Sequence, residues 1–322
     1  MSLTLSCAFA TSLETPEHTR IAETLGYERA WFYDSPALYP DVWVQLCRAA
    51  EKTQKIGLAP GVLVPHLRHP MVTAAAIATL VDAASEARVT IGIGTGFTAC
   101  VAMGQRPLTW SYLANYVSVL RDLLAGRETE WDGSAIKMMH WPGYGATRPI
   151  EVPFVFAAGG PKGIAASQEM AAGVLGVAAA IPDFDWSVVL TLGTVLDPGE
   201  DANSERVLDA AGHGGAVLFH YAVEHNMLEM IVGGEQWLAS YQDVAERTKH
   251  LTMHDGHLVG INDHDRPYVT GDMLAANGVA MDRGAWRERI AELEEQGATE
   301  IAYQPAGSNI PRELETFASL MR

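Results

Sequence analysis

Apolar runs of strand length alternate with helix-spaced segments along most of the chain. Leu3–Ala10 and Arg29–Tyr33 read as the first two strands, with a helix over Pro16–Leu25 that is closed by Gly26. Pro40–Lys52 reads as the next helix. The most regular stretch follows. The apolar run Ile56–Val64 is stopped by Pro65, His69-Pro70 opens an alanine-rich helix ending near Ala84, and Val89–Ile93 runs into Gly94-Thr95-Gly96. Strands that are continuously apolar belong to parallel sheets covered on both faces. The stretch therefore predicts a βαβ unit with its functional groups at the carboxyl ends of the strands.

The alternation continues. Leu108–Leu124 predicts a helix closed by Gly126, and the segment 128–140 a hairpin turning at Asp132-Gly133. Pro153–Ala157, Gly173–Ala178, Val188–Leu196 and Thr299–Gln304 bring the strands to eight, and helices are predicted over Ile164–Ala172, Asp282–Gln296 and Arg312–Met321. Helix signal is thin between Ala178 and Val188. The pattern fits an α/β fold, a (β/α)8 barrel rather than an open doubly wound sheet. Between Leu196 and Asp282 the alternation gives way to helices and loops. The expectation is one domain over 1–322 with an insertion at about 200–281 before the last βα unit.

Composition narrows the function classes. A net charge of −17 argues against nucleic acid or an anionic membrane surface as partner. No apolar stretch is long and unbroken enough to span a bilayer, and the first residues lack the basic flank of a signal peptide. Cys7, Cys47 and Cys100 have neither metal nor disulfide spacing and fit a reducing, cytoplasmic compartment.

Candidate chemistry sits after the strands. Gly159-Gly160-Pro161-Lys162 follows a strand and opens a helix, so free amides, a helix N-terminus and an ammonium combine into a phosphate site, with Ala158 beside it. Thr95, Gly96, Phe97 and Thr98 offer amides and hydroxyls for a second anion or sugar contact, although their glycine spacing is not the dinucleotide fingerprint. Asp34 and Ser35 end the second strand. His66 follows the third, where an unperturbed imidazole suits general acid work; Arg68 and His69 beside it read as loop-capping residues. Tyr39, Met103 and Trp110 are candidates for an apolar substrate wall. His250, His254, His257, Asp263, His264 and Asp265 look at first like metal ligands, but Asp255-Gly256 interrupts the helix that would align them. The expectation is a polar cap over the barrel mouth and no metal. His220, Tyr221 and His225 form a further polar cluster whose place the sequence does not fix.

Ala22–Pro36, Pro40–Ala50, Gly57–Gly96, Phe156–Lys162 and Trp286–Gln304, in this order and spacing, resemble the bacterial luciferase-like family of TIM barrels. Within it the chain is most similar to the deazaflavin-dependent branch that includes methylenetetrahydromethanopterin reductases. The resemblance implies coenzyme F420, or alternatively FMN, lying across the carboxyl ends of the strands. It implies a non-prolyl cis peptide at Gly61-Val62 behind the cofactor ring, with Asp34, the 95–98 turn and the 158–162 turn around the cofactor. Phe97 stands where sugar-phosphate dehydrogenases of the family have glutamate, and Ser35 where some relatives have histidine, so a largely apolar substrate is expected. The implied function is hydride transfer between F420 and a small organic substrate. The alternatives are an FMN-dependent monooxygenase fed by a separate flavin or F420 reductase, and a non-catalytic flavin-binding barrel. The resemblance also implies a homodimer through the early helices, where Ala74, Ala75, Ala76 and Ala78 make a smooth surface.

Overall fold

The computed structural model describes residues 3–322. Eight parallel strands form the barrel: β1 Thr4–Phe9, β2 Arg29–Phe32, β3 Gly57–Pro60, β4 Ile91–Ile93, β5 Phe154–Ala157, β6 Gly173–Val177, β7 Ser187–Leu192 and β8 Glu300–Gln304. Their order is β3-β2-β1-β8-β7-β6-β5-β4, and parallel bridges Leu58–Val89 and Leu63–Ile93 close β3 onto β4. The two bridges flank a bulge at Gly61-Val62, whose peptide bond is cis. A Cβ on Gly61 would stand 2.7 Å from Cβ of Trp31, so only glycine lets the bulge lie this close to β2. Past the bulge the ladder resumes: Leu63 N–H donates to Gly92 O (2.8 Å) and Gly94 N–H to Leu63 O (3.0 Å).

The (β/α)8 expectation holds, with local differences. Inside the barrel, Ala8, Trp31, Ala59, Val155, Leu175, Val188 and Ala302 form one packed cluster, while the larger aliphatic core fills the space between strands and helices. The helix after β5 begins at Pro161 rather than Ile164, because proline suits the first helical position. A short helix, Phe97–Ala102, follows β4 where a turn was expected, and the long helix before β5 begins at Trp110, two residues beyond the expected Leu108, because Thr109 caps it by accepting from the Tyr112 N–H. The predicted run Val188–Leu196 is two strands. Gly193, at φ +133°, ends β7, and Thr194–Val195 then pairs with Ala280–Met281. Residues 178–186 carry no helix.

The chain leaves the barrel at one member of that small pair and returns at the other. The segment between them carries the helix Glu205–Glu224 and several short helices. It has its own apolar cluster, in which Val207, Phe219, Trp237, Tyr241 and Leu274 are buried. Arg206 and Arg312 tie its start to the barrel. Arg206 pairs with Glu200 and Glu313, and Arg312 with Asp197 and Glu313.

Candidate functional site

The carboxyl ends of β2 to β7 surround a cavity of about 260 Å3. Tyr33, Asp34, Ser35 and Tyr39 come from β2 and its loop, Gly61, Val62 and Val64 from the bulge, and Gly94–Ala99 from the turn after β4. Ala157, Leu175, Val177 and Leu190 close the far side, and Leu258 reaches in from the insertion. A larger cavity of about 670 Å3 opens at the opposite end of the barrel beside Leu3, Arg29, Trp186 and Glu300. That end is where TIM barrels concentrate stabilising contacts. Glu300 is buried there as the acceptor for Trp31 Nε1–H (2.9 Å), Trp186 Nε1–H (2.9 Å) and Arg29 Nη1 (3.0 Å). We therefore place the site at the smaller, carboxyl-end cavity.

Asp34 is the only carboxylate lining it, and it is engaged. Arg68 donates from Nη1 to Oδ2 (2.6 Å) and from Nη2 to Oδ1 (3.1 Å), and also reaches Asp41 Oδ2 at 3.1 Å. Burial outweighs the guanidinium and lifts the Asp34 carboxyl above its usual value. Arg68 is thus a loop anchor, and its carbonyl accepts from Tyr116 O–H at 2.9 Å. Burial raises the phenols of Tyr33 and Tyr39 as well, so both remain protonated at neutral pH. The cavity presents hydroxyls, backbone and apolar side chains, with no free general base among its lining residues.

Leu258 is the residue the sequence did not announce. It has φ +62°, a conformation rare outside glycine. Two hydrogen bonds from the barrel hold its segment: Tyr39 O–H to His257 O (2.7 Å) and Gln304 Nε2–H to Leu258 O (2.9 Å). Tyr33 O–H in turn donates to Gln304 Oε1 at 2.8 Å. Leu258 and Tyr39 also line a neighbouring cavity of about 550 Å3 beside Phe9, Thr11 and Pro305, so Leu258 stands between the two. Gln304 had a signal, a polar residue ending an otherwise apolar barrel strand. Leu258 had none.

The remaining expected residues divide. Asp34, Ser35, Tyr39, Gly61, Val62, Thr95, Gly96, Phe97 and Thr98 all border the cavity. His66 is exposed on a single 3-10 turn outside it. Met103 lies outside as well, and Trp110 packs with Ala158, Val174 and Ile181 under the helix Pro161–Met170. Ala158 is buried in that cluster, and Ala157 is the β5 residue that faces the cavity. Gly159, Gly160, Pro161 and Lys162 are exposed. Nothing lies within 4 Å of the place a Cβ would take on either glycine, and the helix they open has no side-chain cap. Among the described residues Lys162 has no ion-pair partner, and the turn is open to an anion.

The histidine-rich segment does not gather on itself. His250 Nε2 lies beside Gly104, His264 stacks on Tyr241 with ring centres 4.2 Å apart, and His225 stacks on Tyr221 at 3.9 Å. His254 and His257 instead meet His220 in the interior. Burial holds His254 at about 4 and His257 at about 3, so both rings are neutral near pH 7.

The model of the luciferase-like monooxygenase family matches residues 10–188, more than half of the chain. The chain belongs to this family. The match runs from the residue after β1 to the start of β7 and so includes β2 to β6 with their carboxyl ends. Among relatives of the luciferase-like family, a 5,10-methylenetetrahydromethanopterin reductase of Methanolobus tindarius is 31% identical over 197 residues, covering 59% of this chain and 57% of the relative. The chain spans about half the length of the curated relatives it matches. Two solved structures share the fold over its whole length. One is the coenzyme F420-dependent tetrahydromethanopterin reductase of Methanopyrus kandleri, with TM-score 0.66, 19% identity and coverage of 99% of this chain and 98% of the other. The other is an F420-dependent secondary alcohol dehydrogenase bound to an F420–acetone adduct, with TM-score 0.68, 18% identity and full coverage of both chains.

Proposed function

We propose that the protein is an oxidoreductase that binds coenzyme F420 at the carboxyl end of its barrel and exchanges hydride with a small, largely apolar organic substrate. The observation that carries this reading is the make-up of the cavity. It is narrow and walled by the Gly61-Val62 bulge and by Val64, Leu175, Val177 and Leu190, and its one carboxylate is occupied by Arg68. Such a site suits a flat ring and an apolar partner better than a sugar phosphate, which calls for free cationic side chains. The open turn 159–162 suits the cofactor phosphate. The names of the relatives support the same cofactor class.

When bound, F420 supplies the hydride chemistry at C5 of its ring. The work of the protein is positioning and exclusion of water. Gly61 and Val62 would back the ring, Thr95, Gly96 and Thr98 would take the cofactor's polar chain, and Lys162 with the amides of its turn would hold the phosphate. Phe97, which is 43% exposed, offers an apolar contact at the rim. Ser35 is the hydroxyl placed to hydrogen-bond a substrate oxygen, the Tyr39 O–H being committed to His257 O, so Tyr39 contributes its ring to the wall. His66 would need to swing in to act as an acid.

The test is a titration of the purified protein with F420 and with FMN, followed by turnover assays. Reduced F420 is offered a panel of enones, imines, quinones and ketones, in parallel with reduced FMN and oxygen. F420 binding with hydride transfer to an apolar acceptor is expected. Turnover with FMN and oxygen alone would move the protein to the monooxygenase reading, with a separate reductase as its electron source. Binding without turnover of either would leave a non-catalytic flavin-binding barrel.

The working form proposed is a cytoplasmic homodimer. Cys7, Cys47 and Cys100 are free, and no helix among the described residues is long and apolar enough to cross a membrane. On the helix Pro70–Ala84 the barrel buries Ala74 and Ala78. Val72, Ala75, Ala76 and Thr79 remain as the smooth outer face for a second copy.

A further inference from the structure

The helix Glu205–Glu224 sets His220 against His254 and His257, which follow the short helix Lys249–Met253. All three side chains are buried, and one ligand atom of each lies within 4.8 Å of the others. His220 Nδ1 and His257 Nδ1 are 3.2 Å apart in nearly parallel rings. His254 stands edge-on to both, with ring centres 5.3 and 5.1 Å away. His254 Nδ1 has no hydrogen-bond partner among the described residues. A buried polar atom left unpaired forfeits its hydration without compensation. Three imidazoles converging in the interior therefore call for something between them.

We propose that His220, His254 and His257 bind one divalent transition-metal ion of the zinc type. Zinc–nitrogen bonds of about 2.0–2.1 Å place tetrahedral ligand atoms roughly 3.3–3.4 Å apart. The His220–His257 pair already has this spacing, and rotation of the His254 ring closes the remainder. Neutral imidazoles select zinc, copper or nickel over calcium or magnesium. Asp265 completes the arrangement. Its Oδ2 lies 3.8 Å from His220 Nε2, and its Oδ1 accepts from Trp237 Nε1–H (2.7 Å) and Tyr241 O–H (3.2 Å). A carboxylate behind a ligating imidazole keeps the proton on the far nitrogen and leaves the near one bare for the metal. Here that leaves His220 Nδ1 facing His257. The three nitrogens leave the fourth tetrahedral position to a solvent molecule, and none of the three histidines lines the barrel-mouth cavity. The site ties the long helix of the insertion to the segment that carries Leu258 into the barrel mouth, and it does not rest on the cofactor reading.

The test uses the full chain, stripped with a chelator and dialysed against Zn2+ or Co2+. One equivalent of metal is expected, and Co2+ should give the intense visible absorption of a tetrahedral nitrogen site. Asp265→Asn should weaken binding by about 10–100-fold, and His254→Ala with His257→Ala should abolish it. His250→Ala, which removes the neighbouring histidine outside the triad, should keep the full equivalent. The Co2+ spectrum of the unaltered chain stands even where a variant fails to fold. Absence of stoichiometric metal in the unaltered chain, an octahedral Co2+ spectrum, or retention of the metal by the folded double variant would each overturn the proposal.

Discussion

Replacing Arg68 with methionine removes the counterion of a buried carboxylate at the rim of the cavity while keeping most of the side-chain volume. Asp34 is 4% exposed and loses both hydrogen bonds of the bidentate pair, and Asp41 loses its 3.1 Å contact. Breaking a buried pair by deleting one partner costs about 3–5 kcal/mol. An unfolding entropy of about 2.1 cal/mol/K per residue over 322 residues gives roughly 1.5 °C per kcal/mol, so Tm should fall by about 4–7 °C. The loss should depend on pH. The Asp34 carboxyl is raised in the folded protein, so its contribution to stability falls as pH rises above the unfolded value near 3.8. Without Arg68 the carboxyl rises further, so the deficit of Arg68→Met is largest at neutral pH and shrinks as the pH falls and Asp34 takes up a proton. Asp34→Asn on the Arg68→Met background should recover about 2 kcal/mol or more in a double-mutant cycle. The assay is chemical and thermal denaturation of the four proteins between pH 5 and 8. An additive cycle, or a Tm change of about 1 °C with no pH dependence, would refute the reasoning.

Three further outcomes are expected. Lys162→Ala should weaken F420 binding by about 1–3 kcal/mol, roughly 5–150-fold in Kd by fluorescence titration, as the loss of a charge-assisted phosphate contact; unchanged affinity would leave binding to the backbone amides. Gly163→Ala would press a methyl into the Trp110 ring and to 2.9 Å from Ala158 Cβ, and should cost about 1–3 kcal/mol by denaturant titration. Sedimentation at micromolar concentration should give a dimer, and a bulky charge at Ala75 should dissociate it into monomers that keep the circular-dichroism spectrum of the unaltered chain.

The barrel was legible because each β-strand buried on both faces writes a continuous apolar run. All eight were placed in this way, whereas the bulge at Gly61-Val62 was expected only from the resemblance to the family. The polar residues at strand ends, Asp34, Ser35 and Thr95, were legible for the same reason, since a strand's last residue in a barrel faces its mouth. Trp110 was misplaced because nearness in sequence to a strand end does not fix the side on which a helix side chain packs. It went under the helix Pro161–Met170, not over the cavity. The meeting of His220 with His254 and His257 was not legible at all. Spacing rules link ligands on one helix, whereas these lie on separate elements joined only by the packing of the insertion core around Trp237 and Tyr241. Leu258 was hidden for a related reason. Its left-handed backbone carries no residue-type signal when the residue is leucine.

Leu258 joins the cavity wall from a stretch of chain outside the barrel strands. The strand ends around the cavity lie mostly within the region shared with the family, whereas the wall between that cavity and the neighbouring 550 Å3 space is shared by Tyr39, from the loop after β2, and Leu258, from the segment outside the barrel. Trimming or enlarging the Leu258 side chain changes the volume of both cavities without altering a strand, the bulge or the 159–162 turn. On the proposed reading, the room beside the ring would be adjustable at Leu258 without any change to the strand ends, the Gly61-Val62 bulge or the 159–162 turn.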